Sequence, residues 1–323
     1  MKRIFFLSFI LLTSLTISSK ETPKYDIVVA QDGSGDFSTI QEAVFSLRGM
    51  MAQRKTIFIK KGIYKEKIVI PTWSLNISLI GEDKDSTIIT WADHANMPIP
   101  GTEKKMGTFR TYTLLVQGHG FIAQNLTIEN NAPQLGQAVA LHVEGDKAVF
   151  INCRILGNQD TIFLGSETSR QLYKDCYIEG TTDFIFGPST AYFQTCQIHC
   201  KKNSYITAPS TPKYKEFGFV FNKCTITADS TVTKVYLGRP WRPYGNSTFV
   251  DCNMGGFILK EGWDNWRNPE NEKTARFVEL GSTGAGANKF ERVSWSQNIC
   301  DCKAKEFSIK KVLSGYDKWN PLD

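Results

Sequence analysis

The pentapeptide G-x-S-x-G, which sets a serine nucleophile on a sharp strand-to-helix turn, is absent from this chain. Histidine is scarce. Its four copies, at 94, 119, 142 and 199, have no obvious partner set, and His142 beside a strand reads as structural. A serine–histidine hydrolase is therefore disfavoured. Metal-assisted hydrolysis lacks the His or carboxylate clusters it needs, so no metal and no cofactor are expected. C-x-x-C is also missing, so the eight cysteines (153, 176, 196, 200, 224, 252, 300 and 302) do not spell a zinc site. No polybasic run occurs. The formal net charge is +6, about +4 without Lys2 and Arg3, which gives little support to nucleic-acid binding. Beyond the N-terminus no stretch is apolar enough for a transmembrane helix. Helical periodicity is nearly absent.

The first residues explain the one apolar run. Met1-Lys2-Arg3 gives a short positive segment. Ile4 to Leu12 is apolar but too short to span a bilayer comfortably, and Thr16-Ile17-Ser18-Ser19 fades into small polar residues. This is the anatomy of a secretory signal peptide over 1–19. The rest, 24–323, is expected to be one exported domain, secreted or periplasmic. With only a signal peptide ahead of it, the chain reads as bacterial rather than plant.

What is abundant is a repeat. Short segments rich in Ile, Val, Phe, Tyr and Thr recur, among them Val149-Phe-Ile-Asn-Cys-Arg-Ile155, Leu172-Tyr-Lys-Asp-Cys-Tyr-Ile178 and Tyr192-Phe-Gln-Thr-Cys-Gln-Ile198. Aligned on Asn125, Cys153, Cys176, Cys196, Cys224 and Cys252, they are separated by 28, 23, 20, 28 and 28 residues. Repeats of this size mean a solenoid, and strand-like alternation makes it a β-solenoid. The fold class expected is all-β: a right-handed, single-stranded parallel β-helix in which the recurring cysteines form a ladder of small buried side chains. Thr39 with Glu42, and apolar residues at 40, 43, 44 and 47, spell a capping box and a short N-terminal helix that covers the open end. The tail around Phe307 to Leu313 is expected to cover the other end.

Polar residues embedded in apolar strand context are the candidates for chemistry. Gln137 opens Gln137-Ala-Val-Ala-Leu141, and Gln159-Asp160 precedes Thr161-Ile-Phe163. Asp183 precedes Phe184-Ile-Phe-Gly187, and Arg239 lies within Leu237-Gly-Arg-Pro-Trp241. A lone charge in such a run is costly unless paired. Stacked coils would let residues from different repeats converge on one face of the solenoid.

These four segments, with Gly62-Ile-Tyr-Lys-Glu66 and the opening Asp32-Gly-Ser-Gly-Asp-Phe-Ser-Thr-Ile-Gln41, resemble the signature segments of pectin methylesterases, in order, from about residue 25 to about 320. The resemblance implies a parallel β-helix enzyme acting on pectin, or homogalacturonan, as a monomer. By that resemblance Asp183 is the nucleophile and Asp160 the general acid/base. Gln137 and Gln159 stabilise the oxyanion, and Arg239 holds the nucleophile. Thr108, Phe184, Trp241 and Trp263, along with Gln137 and Arg239, are implied to contact substrate. Phe163 stands where many members carry Tyr. A disulfide between Cys176 and Cys196 is implied as well, against the alternative of two free ladder thiols.

The residue types suit the task. A methyl-ester carbonyl needs a nucleophile, and an ionised carboxylate serves if it is held charged and aimed. Glutamine amides offer neutral donors to an oxyanion. Of two nearby carboxylates, one tends to stay charged and the other protonated. The competing readings are a β-helix lyase or polygalacturonase, a related esterase or thioesterase, and a non-catalytic carbohydrate-binding β-helix. The Gln137, Gln159 and Arg239 set fits a lyase or polygalacturonase less well, Trp241 favours a sugar-bearing ester, and a non-catalytic protein has no reason to keep Asp160 and Asp183 in apolar surroundings with Arg239.

Overall fold

The computed structural model describes residues 25–297 and 299–322; the signal peptide expected over 1–19 lies outside them. The chain winds through three sheets, visiting each in turn and returning to it one coil later. The first sheet has ten strands, from Ile27–Val29 to Arg276–Leu280. The second has seven, from Ile68–Ile70 to Tyr236–Gly238, and the third eight, from Gly62–Tyr64 to Asn253–Met254. Neighbouring strands pair in parallel throughout these sheets. This is the parallel β-helix.

In-register pairing turns the sequence repeat into rows of like side chains. Ile128, Ile155, Ile178, Ile198 and Ile226 stack along the inside of the third sheet and end on Met254. Along the first sheet, Phe150, Tyr173, Phe193, Phe221 and Phe249 stack face to face with centroids 4.5–4.8 Å apart. Each such contact adds about 0.5–1.5 kcal/mol to what burial alone contributes. Trp263 continues this stack: it is 1% exposed and lies 4.3 Å from the Phe277 ring.

Between the first and third sheets the chain turns through one left-handed residue per coil: Asn152, Asp175, Thr195, Lys223 and Asp251, with φ of 51–55°. A buried cysteine follows each. The Cys153, Cys176, Cys224 and Cys252 thiols each reach the carbonyl two residues back. The ladder of small buried side chains is therefore formed. Its register is corrected at the first coil, because Asn125 (φ 55°) is the left-handed residue there and Leu126 takes the cysteine position. Arg154 N donates to Leu126 O just as Tyr177 N donates to Cys153 O. The bridge expected between Cys176 and Cys196 is not formed. Both are free thiols, directed at the Phe150 and Tyr173 carbonyls.

The N-terminal helix, Ile40–Ser46, is capped as expected. Thr39 Oγ1 accepts from Glu42 N and donates to Glu42 Oε2, while Ile40, Ala43 and Val44 are buried. Glu66, the acid of Gly62-Ile-Tyr-Lys-Glu66, takes the free N–H groups of Ile40 and Gln41 at 2.9 and 3.0 Å. The tail differs from expectation. Helix Ile309–Leu313 and the residues before it lie along the outer face of the first sheet, against Val149, Leu172, Tyr192 and Val220, rather than over the open end. Arg170 locks it there, bonding the Leu313 and Ser314 carbonyls and the carboxylates of Asp317 and Asp146. No helix among the described residues is long and apolar enough to cross a membrane.

Candidate active site

The turns between the third and second sheets build a groove of about 260 Å³ lined by Thr108, Phe109, Gln137, Gln159, Asp160, Asp183, Phe186, Ala208, Arg239, Trp241 and Trp266. Strand register explains the convergence. Ile162 pairs with Ile185, so the residues two positions earlier, Asp160 and Asp183, stand one above the other on adjacent coils about 4.8 Å apart. Both adopt left-handed backbone, with φ of 63° and 48°. Non-glycine residues rarely sit there, and aspartate tolerates it better than most. Neighbouring coils fix them: Asp160 N donates to Thr182 O and Asp183 N to Tyr205 O. From the outward row of the second sheet, which runs His142, Phe163, Phe186 and Ala208, the last two line the groove.

Arg239 sits just after the last strand of the second sheet. Its Nε donates to Asp183 Oδ1 at 3.0 Å and its Nη2 to Asp183 Oδ2 at 2.6 Å. This two-pronged bond fixes the carboxylate plane and favours its charged form. The guanidinium is itself gripped, with the rings of Tyr205 and Trp266 each 3.8 Å away. Neither aromatic was singled out in the sequence.

The two carboxylates are electrostatically unequal. Burial pushes Asp160 well above the ordinary aspartate value of 3.8, the charge of Asp183 pushes it further, and Arg239 opposes weakly. Burial also raises Asp183, but the hydrogen bonds and charge of Arg239 pull it back, with Asp264 adding a smaller upward push. The site thus favours a proton on Asp160 and the charge on Asp183. Gln137 and Gln159 line the groove, and among the described residues no protein group hydrogen-bonds their side-chain amides. No three His, Cys, Asp or Glu side chains among the described residues are grouped to hold a metal ion.

Thr108 and Trp241 line the groove, Thr108 from the 3-10 turn Thr108–Arg110 and Trp241 edge-on to Phe186 at 5.8 Å. Two expected contacts are corrected. Phe184 is fully buried in the core, because it follows the turn inward; Phe186, two residues on, points out into the groove. Trp263 is also core, taken up by the aromatic stack, and Trp266 three residues later occupies the groove instead.

Fold and groove together define a class: β-helix enzymes whose site is centred on a clamped carboxylate. The chain belongs to the pectinesterase family, whose family model, Pectinesterase, matches residues 26–316. It is a carboxylic ester hydrolase. It is 41% identical to Pectinesterase 31 of Arabidopsis thaliana over 86% of this chain and 89% of that one. Among solved structures, pectin methylesterase from carrot aligns with a TM-score of 0.85 at 33% identity, covering 92% of this chain and 95% of that one. A pectin methylesterase mutant in complex with a hexasaccharide aligns with a TM-score of 0.81 at 30% identity, covering 93% and 99%.

Proposed function

We propose that this chain hydrolyses the methyl esters of pectin, releasing methanol and leaving pectate, with Asp183 as nucleophile and Asp160 as proton carrier. The observation that carries the reading is the two-pronged Arg239–Asp183 bond with Asp160 stacked on the adjoining coil. One Asp183 oxygen adds to the ester carbonyl carbon. The carbonyl oxygen becomes an oxyanion, for which the free Gln137 and Gln159 amides are the available neutral donors. Collapse breaks the bond to the methoxy oxygen, which takes the Asp160 proton and leaves as methanol. Asp183 is then joined to the sugar carboxyl as an anhydride. Asp160, now ionised, takes a proton from water as its oxygen adds to the sugar carbonyl. Collapse returns Asp183 as a carboxylate and frees the galacturonic acid, which loses its proton to solvent. Trp241, Trp266 and Phe186 offer apolar faces to the sugar rings, and Thr108 a hydroxyl.

In this reading residues 1–19 direct export, and the enzyme acts as a secreted or periplasmic monomer on homogalacturonan. The test is purified enzyme with methylated pectin and no added metal. Methanol release at unchanged polymer length is expected. Chain shortening or new unsaturated ends would instead make the protein a polygalacturonase or a lyase.

A further inference from the structure

Six of the eight cysteines are buried in the solenoid, and two are not: Cys300 and Cys302 are exposed at the start of the C-terminal segment. They lie outside the groove that holds Asp160 and Asp183. Cys300 caps the 3-10 turn Asp301–Phe307, with its Sγ accepting the Cys302 N–H at 3.3 Å. The turn therefore brings both sulfurs to one end of a single short element. Asp301 between them is pinned, accepting from Gly281 N at 3.0 Å and from Lys289 Nζ at 2.7 Å, so the ammonium of Lys289 stands close to the pair.

We propose that Cys300 and Cys302 form a redox-active dithiol that closes to a disulfide by exchange with a low-molecular-weight disulfide, Cys300 attacking and Cys302 resolving. The asymmetry comes from the turn. Hydrogen bonds from the Cys302 thiol and backbone N–H favour the Cys300 thiolate and outweigh desolvation and the charge of Asp301, with Lys289 adding a smaller push the same way, while Cys302 is shifted the opposite way. Thiolate, not thiol, is the attacking species. In the first step the Cys300 sulfur bonds to one sulfur of the small disulfide, and its other half leaves as a thiolate. In the second, the Cys302 thiolate attacks Cys300 in this mixed disulfide and expels the remaining half. The cysteine pair loses two electrons, the small disulfide gains them, and the two cysteine protons end on the two released thiols. An exported protein meets the oxidising surroundings in which such exchange proceeds.

The experiment treats the native full-length enzyme with oxidised glutathione, blocks remaining thiols with maleimide and reads each cysteine by peptide mass spectrometry. Loss of two hydrogens from the peptide carrying Cys300 and Cys302 is expected, with the six buried thiols unreacted. In Cys302→Ser one glutathione should remain trapped on Cys300. In Cys300→Ser, Cys302 should react several-fold more slowly. Two stable glutathione adducts without ring closure, equal rates in the two single variants, or a pair that maleimide labels but oxidised glutathione leaves reduced would each overturn the proposal.

Discussion

Asp175 and Asp183 make an instructive pair. Both are aspartates in left-handed conformation, φ 55° and 48°, at coil turns only eight positions apart. Asp175 sits at the turn between the first and third sheets, where it is exposed and receives the Thr195 hydroxyl. Asp183 sits at the turn into the second sheet, 6% exposed and held by Arg239. The backbone device is the same, and its steric cost is comparable. The difference is what surrounds it. At the outer turn the left-handed residue points to water and only shapes the coil. At the groove the same geometry aims a carboxylate into a partly desolvated site, where charge–charge effects are several times stronger than in water. Strain in a solenoid turn is therefore not itself a sign of function; burial and a dedicated partner distinguish the two.

The comparison breaks most visibly at the aspartates themselves. Asp183→Asn should cut methanol release by on the order of 10⁴-fold or more, as removal of a nucleophile does, while Asp175→Asn leaves kcat within about two-fold. Equal effects at the two turns would overturn the contrast. Next in size is the clamp. Arg239→Lys keeps the charge but loses the planar fork, and kcat/KM should fall about 100-fold, equivalent to about 2.7 kcal/mol. A comparable loss of about 100-fold in kcat, with KM little changed, is expected for Gln137→Ala and for Gln159→Ala. A change confined to KM would remove those amides from the transition state.

The smallest effects are on stability. Asp160 and Asp183 both have folded-state values raised above the ordinary 3.8. The folded chain thus holds protons that the unfolded chain has released, and stability falls as pH rises from about 3.8 through the raised values. Each unit of such a shift amounts to about 1.4 kcal/mol. Asp160→Asn should therefore raise the melting temperature, with a gain that grows as pH rises through this window. Thermal unfolding of this variant and of the parent enzyme between pH 4 and pH 8 checks the sign.

Much of this was legible in the sequence because a β-solenoid writes its period directly into the chain. The repeats announced the coils, and the separation of Asp160 from Asp183 matched one coil, so their stacking followed. What stayed hidden were choices of one to three residues. Asn125 was aligned with the cysteines because both occupy the turn, but left-handed backbone at Asn125 moves the equivalence to Leu126. Phe184 lies in the turn just before the strand Ile185–Gly187 and enters the core beside Ile185, while Phe186 within the strand faces outward. Trp263 and Trp266 share one short segment, and only the reach of the internal ring stack determines which is buried. Tyr205 carried no motif at all. Its role comes from stacking on a guanidinium supplied 34 residues later in the chain.

The hold of Arg170 on the tail makes one side chain a tie between distant parts of the chain. This guanidinium opens the first-sheet strand of the coil that carries Asp183, yet it bonds Asp317, 147 residues further along. Without the tail this guanidinium keeps only its two bonds to Asp146 and loses the four to Leu313, Ser314 and Asp317, which water must then replace. Docking of the tail thus acts as a latch across the flank of the first sheet.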